Sequence, residues 1–331
     1  MHRLAFLLLL ASAAGFASPL FESDAVLEIT LEGPLSTVIE DTEDRNEHRF
    51  ALTVQGSTID LDVRVRGISR LRVCTFPPLR LDFRGGDTTD TVFTGQNKLK
   101  LVTHCKGGAD YEQNVLEEYA AYRIFNVLSE VSFRTRLARI RYVDTDDPGG
   151  NELVRHAFFI ESDRALAERS GGSVLETRRV TKNYLDETQT ALAYIFQYLI
   201  GNTDWSLVRA LDKDSCCHNG LLVDIGERHF YVPYDFDLSG LVNARYAKPD
   251  PSLRTKRVTQ RRYRGYCMPG EAVREGLRLV LDHHDDIIRV IGELPLLSEK
   301  EIESRTRFVE GFFKAAANED KLLRRFKSRC L

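Results

Sequence analysis

GNTDWSLVRALDKDSCCHNGLLVDIGERHFYVPYDFDLSGLVN, residues 201–243, is the stretch on which the reading of this chain turns. Asn202 and Asp204 stand just past an apolar helical run. Asn219 opens a second apolar run, and Asp235 and Asp237 follow the strand-like residues 229–232. An acid, an amide and an acid after a strand are the parts that phosphoryl transfer uses: one carboxylate orients the nucleophile, and an amide and a carboxylate hold a divalent cation. The same residue types make turns, because Asp and Asn side chains hydrogen-bond their own backbone. Spacing alone leaves both readings open, a phosphoryl-transfer site or a turn-rich connection between strands.

The surroundings narrow the choice. Residues 186–200 form an amphipathic helix through Leu192, Ile195, Phe196 and Leu199, and it delivers the chain into Gly201-Asn202. Upstream, residues 25–66 alternate apolar and polar positions at strand period, interrupted by an acidic surface loop over residues 39–48. Further strands are expected over residues 63–66, 77–83, 97–102, 137–143 and 153–160. One clear helix lies among them, capped by Asp110 and carrying Glu117 and Glu118 on its N-terminal half. After residue 161 the pattern turns helical, with a helix over residues 271–293 and another opened by the Ser298-x-x-Glu301 capping box. The expected architecture is α+β: a β-rich half over residues 22–161, a mostly antiparallel sheet with one main helix, then a mainly helical half over residues 162–331.

A chain of 331 residues can bury a proper core in one large domain or two halves. Its formal net charge of −3 argues against a dedicated nucleic-acid binder. Met1-His2-Arg3, the apolar residues 4–15 and the small residues near Ala17 have the form of a secretory signal over residues 1–18. That run is too short for a stable membrane anchor. An exported chain with six cysteines, Cys74, Cys105, Cys216, Cys217, Cys267 and Cys330, is expected to pair them. Fifteen connectivities are possible, and the sequence does not choose among them. His218 reads as structural, since a lone His needs company to bind metal. The basic residues of 256–264 are a solvated face, or a receiver of an acidic or phosphorylated acceptor through Arg pairing.

With those residues in place, the motifs resemble the spore-coat (CotH-type) atypical kinases and, more distantly, the HipA-type kinases. The resemblance runs through Gly201-Asn202-Thr203-Asp204, His218-Asn219 and Pro233-Tyr234-Asp235-Phe236-Asp237. In outline it extends to Gly67-Ile68-Ser69-Arg70, to residues 78–83, to Lys98-Leu99-Lys100-Leu101 and to residues 118–123. It implies a bilobal protein-kinase-like fold. It also implies Asp204 as the catalytic acid acting on the acceptor hydroxyl, Asn219 and Asp235 as Mg²⁺ or Mn²⁺ ligands, and Asp237 as a second ligand or a loop-ordering acceptor. A Lys–Glu pair, Lys100 with Glu118 or alternatively Lys98 with Glu117, would fix the phosphates of ATP or another nucleotide, with Gly67, Ser69 and Arg70 lying over them. Residues 206–217 make the connection from Asp204 to Asn219 longer than the usual kinase catalytic loop.

The expected function is that of an exported kinase, periplasmic or secreted, acting on a Ser or Thr hydroxyl of an envelope or secreted protein, acidic acceptors included. The rival reading is a non-catalytic, disulfide-stapled kinase-like binding or assembly module. A third is transfer of AMP by the same site.

Overall fold

The computed structural model describes residues 19–150, 152–207 and 216–331; the expected signal over residues 1–18 lies outside them. Along β1 (Leu27–Gly33), β2 (His48–Val54) and β3 (Ser57–Val65) every second side chain from Leu27, Phe50 and Ile59 onward is buried. A pleated strand with one covered face requires this alternation. The acidic stretch between β1 and β2, expected as loop, begins with the short helix α1 (Leu35–Glu40). The Asp144 carboxylate starts that helix by accepting from the amides of Leu35 and Ser36.

A second short helix, α2 (Arg70–Val73), leads to β4 (Leu79–Asp82) and β5 (Lys98–Val102). The helix α3 (Ala109–Leu128) then precedes β6 (Thr135–Asp144) and β7 (Leu153–Ile160). Where a mostly antiparallel sheet was expected, the strands form a closed barrel in the order β1-β2-β3-β4-β5-β7-β6. Closure comes from parallel pairing of β1 with β6, Leu27 opposite Ala138 and Gly33 opposite Asp144. A closed sheet has no unpaired edge. Phe50, Leu61, Leu81, Leu101, Ile140 and Phe159 fill the barrel.

Helix α3 starts after Gly108, which takes the N-cap position expected for Asp110 and offers no side-chain cap. From Val115 on it is buried on nearly every side, Glu117 and Glu118 included. Its apolar residues belong to the core of the helical half and not to the barrel interior. That half contains α4 (Asp163–Arg169), α5 (Glu187–Leu199), α6 (Gly270–Asp282), α7 (His284–Gly292), α8 (Glu299–Ala316) and α9 (Glu319–Lys327). β8 (Ser173–Val174), β9 (Gly220–Ile225) and β10 (Arg228–Pro233) form a three-stranded antiparallel sheet beside them. The single helix expected over residues 271–293 breaks at His283, which ends α6 and begins α7.

The six cysteines form three disulfides, Cys74–Cys105, Cys216–Cys217 and Cys267–Cys330. No helix among the described residues is long and apolar enough to cross a membrane.

Candidate active site

Three pieces of backbone place the site. The first is the turn after β3. Gly67 sits at φ 103°, a conformation that side chains rarely allow, and the chain turns there into α2. Arg70 is thereby sent inward, only 8% exposed. Its Nη2 donates to Glu118 Oε2 at 2.6 Å and to Asp235 Oδ1 at 3.3 Å, and its Nε donates to Asp237 Oδ2 at 2.9 Å. Tyr246 donates its hydroxyl to the same Asp237 oxygen at 3.1 Å. Burial works against the Arg70 charge, but the Asp237 and Glu118 carboxylates outweigh it and hold the guanidinium protonated. Burial pushes the Glu118 and Asp237 carboxyls up, with Arg70 pulling the other way and the neighbouring acids adding to the rise. Two raised carboxyls around one bound guanidinium mark a cluster with more negative charge than Arg70 neutralises.

The second piece is the end of α5. Gly201 at φ 66° closes the helix with two backbone bonds, Gly201 N to Tyr198 O at 3.2 Å and Asn202 N to Gln197 O at 2.8 Å. This is a Schellman end, which satisfies carbonyls that the helix leaves unpaired. Asn202 then accepts from the Asp204 amide at 2.9 Å, turning Asp204 outward from a buried stem. The Asp204 side chain keeps 37% exposure while both oxygens are steered. His218 Nε2 lies 2.9 Å from Oδ1, and Asn219 Nδ2 donates to Oδ2 at 3.0 Å and to the Asp204 carbonyl at 2.6 Å. Arg264 donates to the Thr203 carbonyl beside it.

The third piece is the β9–β10 hairpin. Ser206 and His218 exchange backbone hydrogen bonds, each 3.0 Å, so the long connection is pinched at its base and Asn219 returns to Asp204. Residues 208–215 of that connection lie outside the described residues. Pro233 pairs with Gly220, and Tyr234 N donates to Asn219 O at 3.2 Å. Asn219 and Asp235 therefore stand on neighbouring positions at one end of the hairpin. Both adopt positive φ, 51° and 62°, an uncommon backbone state that clusters at functional sites. The Asp235 amide is held by the Tyr122 hydroxyl at 2.9 Å.

Gly67, Ser69, Arg70, Lys100, Glu118 and Asp235 line one cleft between the barrel and the helical half. The expected Lys100–Glu118 ion pair is not formed: Glu118 is taken by Arg70, and Lys100 Nζ binds Asp163 Oδ1 at 2.7 Å. Lys100 also lies 5.5 Å from the Tyr234 ring centre and 5.7 Å from that of Phe133, so it still faces the cleft. Lys98 points elsewhere, to Asp82 at 3.0 Å, and Glu117 is held by Arg305 of α8. Asp237 lies behind the cleft, closed off by Arg70 and Tyr246.

Arg66, Tyr122 and Asp163 meet the site without any motif that assigns them a role, and His218, expected as structural, lies against Asp204. Only the position of His218 next to Asn219 hinted at its contact with Asp204.

The residues present suit a divalent cation brought in by phosphates. Asn219 Oδ1 accepts no hydrogen bond from the described residues, and Asp235 is 44% exposed with one oxygen uncontacted. Among the described residues no three His, Cys, Asp or Glu side chains form a metal cage by themselves. Mg²⁺ is commonly held by one or two protein ligands together with substrate phosphates. The cleft is narrow, about 50 Å³, against the roughly 300–1,000 Å³ of a typical small-molecule site.

No protein-family model matches the chain, and no curated protein matches it. Among solved structures it is similar to the crystal structure of a Helicobacter pylori proinflammatory kinase, CtkA, at 9% identity over 86% of this chain and 92% of that one, with a TM-score of 0.33. That score is too low to define a shared fold, and the cleft geometry alone carries the functional reading.

Proposed function

We propose that this chain is an atypical kinase that transfers a phosphoryl group from a Mg²⁺- or Mn²⁺-bound nucleotide such as ATP to a Ser or Thr hydroxyl of an exported protein. One observation carries the reading. Asp204 and Asn219 are hydrogen-bonded to each other, and the β9–β10 register brings Asn219 next to the strand end that carries Asp235, which itself lines the cleft holding Lys100 and Glu118. These are the parts a phosphoryl-transfer site needs, drawn from distant points of the chain.

Each side chain then has a task. The Asp204 carboxylate, oriented by His218 and Asn219, accepts a hydrogen bond from the acceptor hydroxyl and takes its proton as transfer proceeds. Asn219 Oδ1 and the free oxygen of Asp235 would hold the divalent cation, which would neutralise charge on the nucleotide phosphates. Lys100 and Arg66 add fixed positive charge at the cleft wall. Arg70 keeps Glu118, Asp235 and Asp237 in register, so it organises the acidic cluster. The turn over residues 67–70 must lift for a nucleotide to enter a space this small. Three formed disulfides support an exported setting.

The test is a thermal-shift titration of the protein with ATP in the presence and absence of Mg²⁺ or Mn²⁺, followed by transfer to a mixture of exported proteins. Metal-dependent stabilisation is expected in the wild type and is lost in Asp235→Asn. Asp204→Ala should retain nucleotide binding and lose transfer by about a hundredfold or more, the scale of a positioned general base. The intact mass of the modified acceptor separates phosphoryl from AMP transfer.

The narrow cleft favours a second reading, a kinase-like binding module that never admits a nucleotide. In that case neither metal nor nucleotide shifts the melting curve, and Asp235→Asn leaves it unchanged.

A further inference from the structure

On the helical half, sharing no lining residue with the acidic cleft, lies a cavity of about 500 Å³ lined by Arg261, Arg262, Arg325 and Arg329. Its remaining lining is Thr255, Gln260, Tyr198, Tyr263 and the α8 residues Gly311, Phe312 and Ala315, with no carboxylate. None of the four arginines forms an ion pair among the described residues. The acids nearby are committed elsewhere: Glu310 to His284, Glu303 to Arg307, and Glu319 and Asp320 to Arg274. Like charges gathered without counter-charge raise the energy of the empty site, and an anion relieves it.

The cavity is built, not incidental. Arg261 is fixed by donating Nε to the Leu199 carbonyl at 3.0 Å and Nη2 to that of Phe308, and its guanidinium lies 4.0 Å from the Phe308 ring centre. Burial brings its guanidinium down to about 10, with only the Tyr198 phenol working the other way. Arg325 is braced by the Tyr198 hydroxyl at 3.3 Å. The two walls are joined covalently, because Cys267–Cys330 ties the tail after Arg329 to the segment after Arg264. Backbone bonds from Leu331 N to Gly265 O and from Cys267 N to Leu331 O reinforce the join.

We propose that this four-arginine cavity binds a phosphate-rich anion, carried either on a phosphorylated peptide or as a free polyphosphate. Planar guanidinium groups pair bidentately with phosphate oxygens, and four of them in a preset cavity suit two or more phosphate groups. The volume falls within the usual range for a bound small molecule.

Isothermal titration of the full chain with inorganic tripolyphosphate, and separately with a doubly phosphorylated serine peptide and its unphosphorylated form, tests this without any reference to transfer activity. Saturable, salt-sensitive binding of at least one phosphate probe is expected. The Arg325→Glu/Arg329→Glu variant, altered at two exposed positions, should weaken it about tenfold or more while its melting temperature stays near the wild type. If tripolyphosphate alone binds, the source is free polyphosphate; if the phosphopeptide binds and its unphosphorylated form does not, the source is a phosphoprotein. No saturable binding of either phosphate probe, or equal binding by the variant, overturns the proposal.

Discussion

Glu117 and His104 are buried titratable groups outside the cleft, and they pull stability in opposite directions over one pH range. Burial pushes the Glu117 carboxyl up to about 7, against the pull of Arg305. Its contribution is therefore full below about 4.5 and fades as pH rises through about 7. Burial, aided by the Arg155 charge, brings the His104 imidazole down to about 4. Its contribution is full above about 6.5 and fades as pH falls toward 4. Substitution should separate the two. Relative to wild type, Glu117→Gln should lose stability more steeply on acidification from about pH 7 to pH 5, and His104→Phe should gain it. Urea midpoints across that interval read both slopes, and a slope equal to the wild type in either variant refutes its half of the account. At this same scale, the residue types of Asp204, Asn219 and Asp235 marked them as candidates, and the structure joins Asp204 to Asn219 and sets Asp235 in the cleft. Arg70 as the partner of Glu118, and Asp163 as that of Lys100, were not. A sequence shows that a lysine and a glutamate exist, but it does not show which cation reaches a buried carboxylate first.

Among the elements, α5 and its end show how local code positions a distant site. Asp186 caps its start by accepting from the Gln189 amide, and Gly201 closes it at positive φ. A methyl group at Gly201 would meet the Phe308 ring at 3.0 Å in addition to forcing a left-handed backbone. Gly201→Ala should cost about 1–2 kcal/mol of stability, the usual penalty of an L-residue in that region. It should also displace Asp204, which the same helix end positions; an unchanged denaturation midpoint sinks this. The helix and the Ser298–Glu301 capping box were readable, since periodicity and capping are local rules. The start of α1 was not, because the carboxylate that holds it belongs to Asp144. Nor was the break at His283, where the chain turns so that Ile287 and Ile291 pack into the helical core.

For the molecule as a whole, strand content followed from alternation, but barrel closure did not. β1 and β6 pair in parallel across more than a hundred residues, and no local pattern specifies such a partner. The Cys74–Cys105 and Cys267–Cys330 pairings were hidden for the same reason. Cys267–Cys330 spans 63 residues, and chain-entropy reasoning gives its loss about 4 kcal/mol. The Cys267→Ser/Cys330→Ser variant should unfold at markedly lower denaturant, and a midpoint within error of wild type would overturn that estimate. The same bond gives the C-terminal helices a topology that no other interaction supplies. Residues 267–330 form a covalent ring holding α6, α7, α8 and α9. A protease that cuts once inside this ring, for instance between α7 and α8, severs the backbone without releasing a fragment. The nicked chain migrates as two pieces only after reduction, and under oxidising conditions the ring keeps its helices in place.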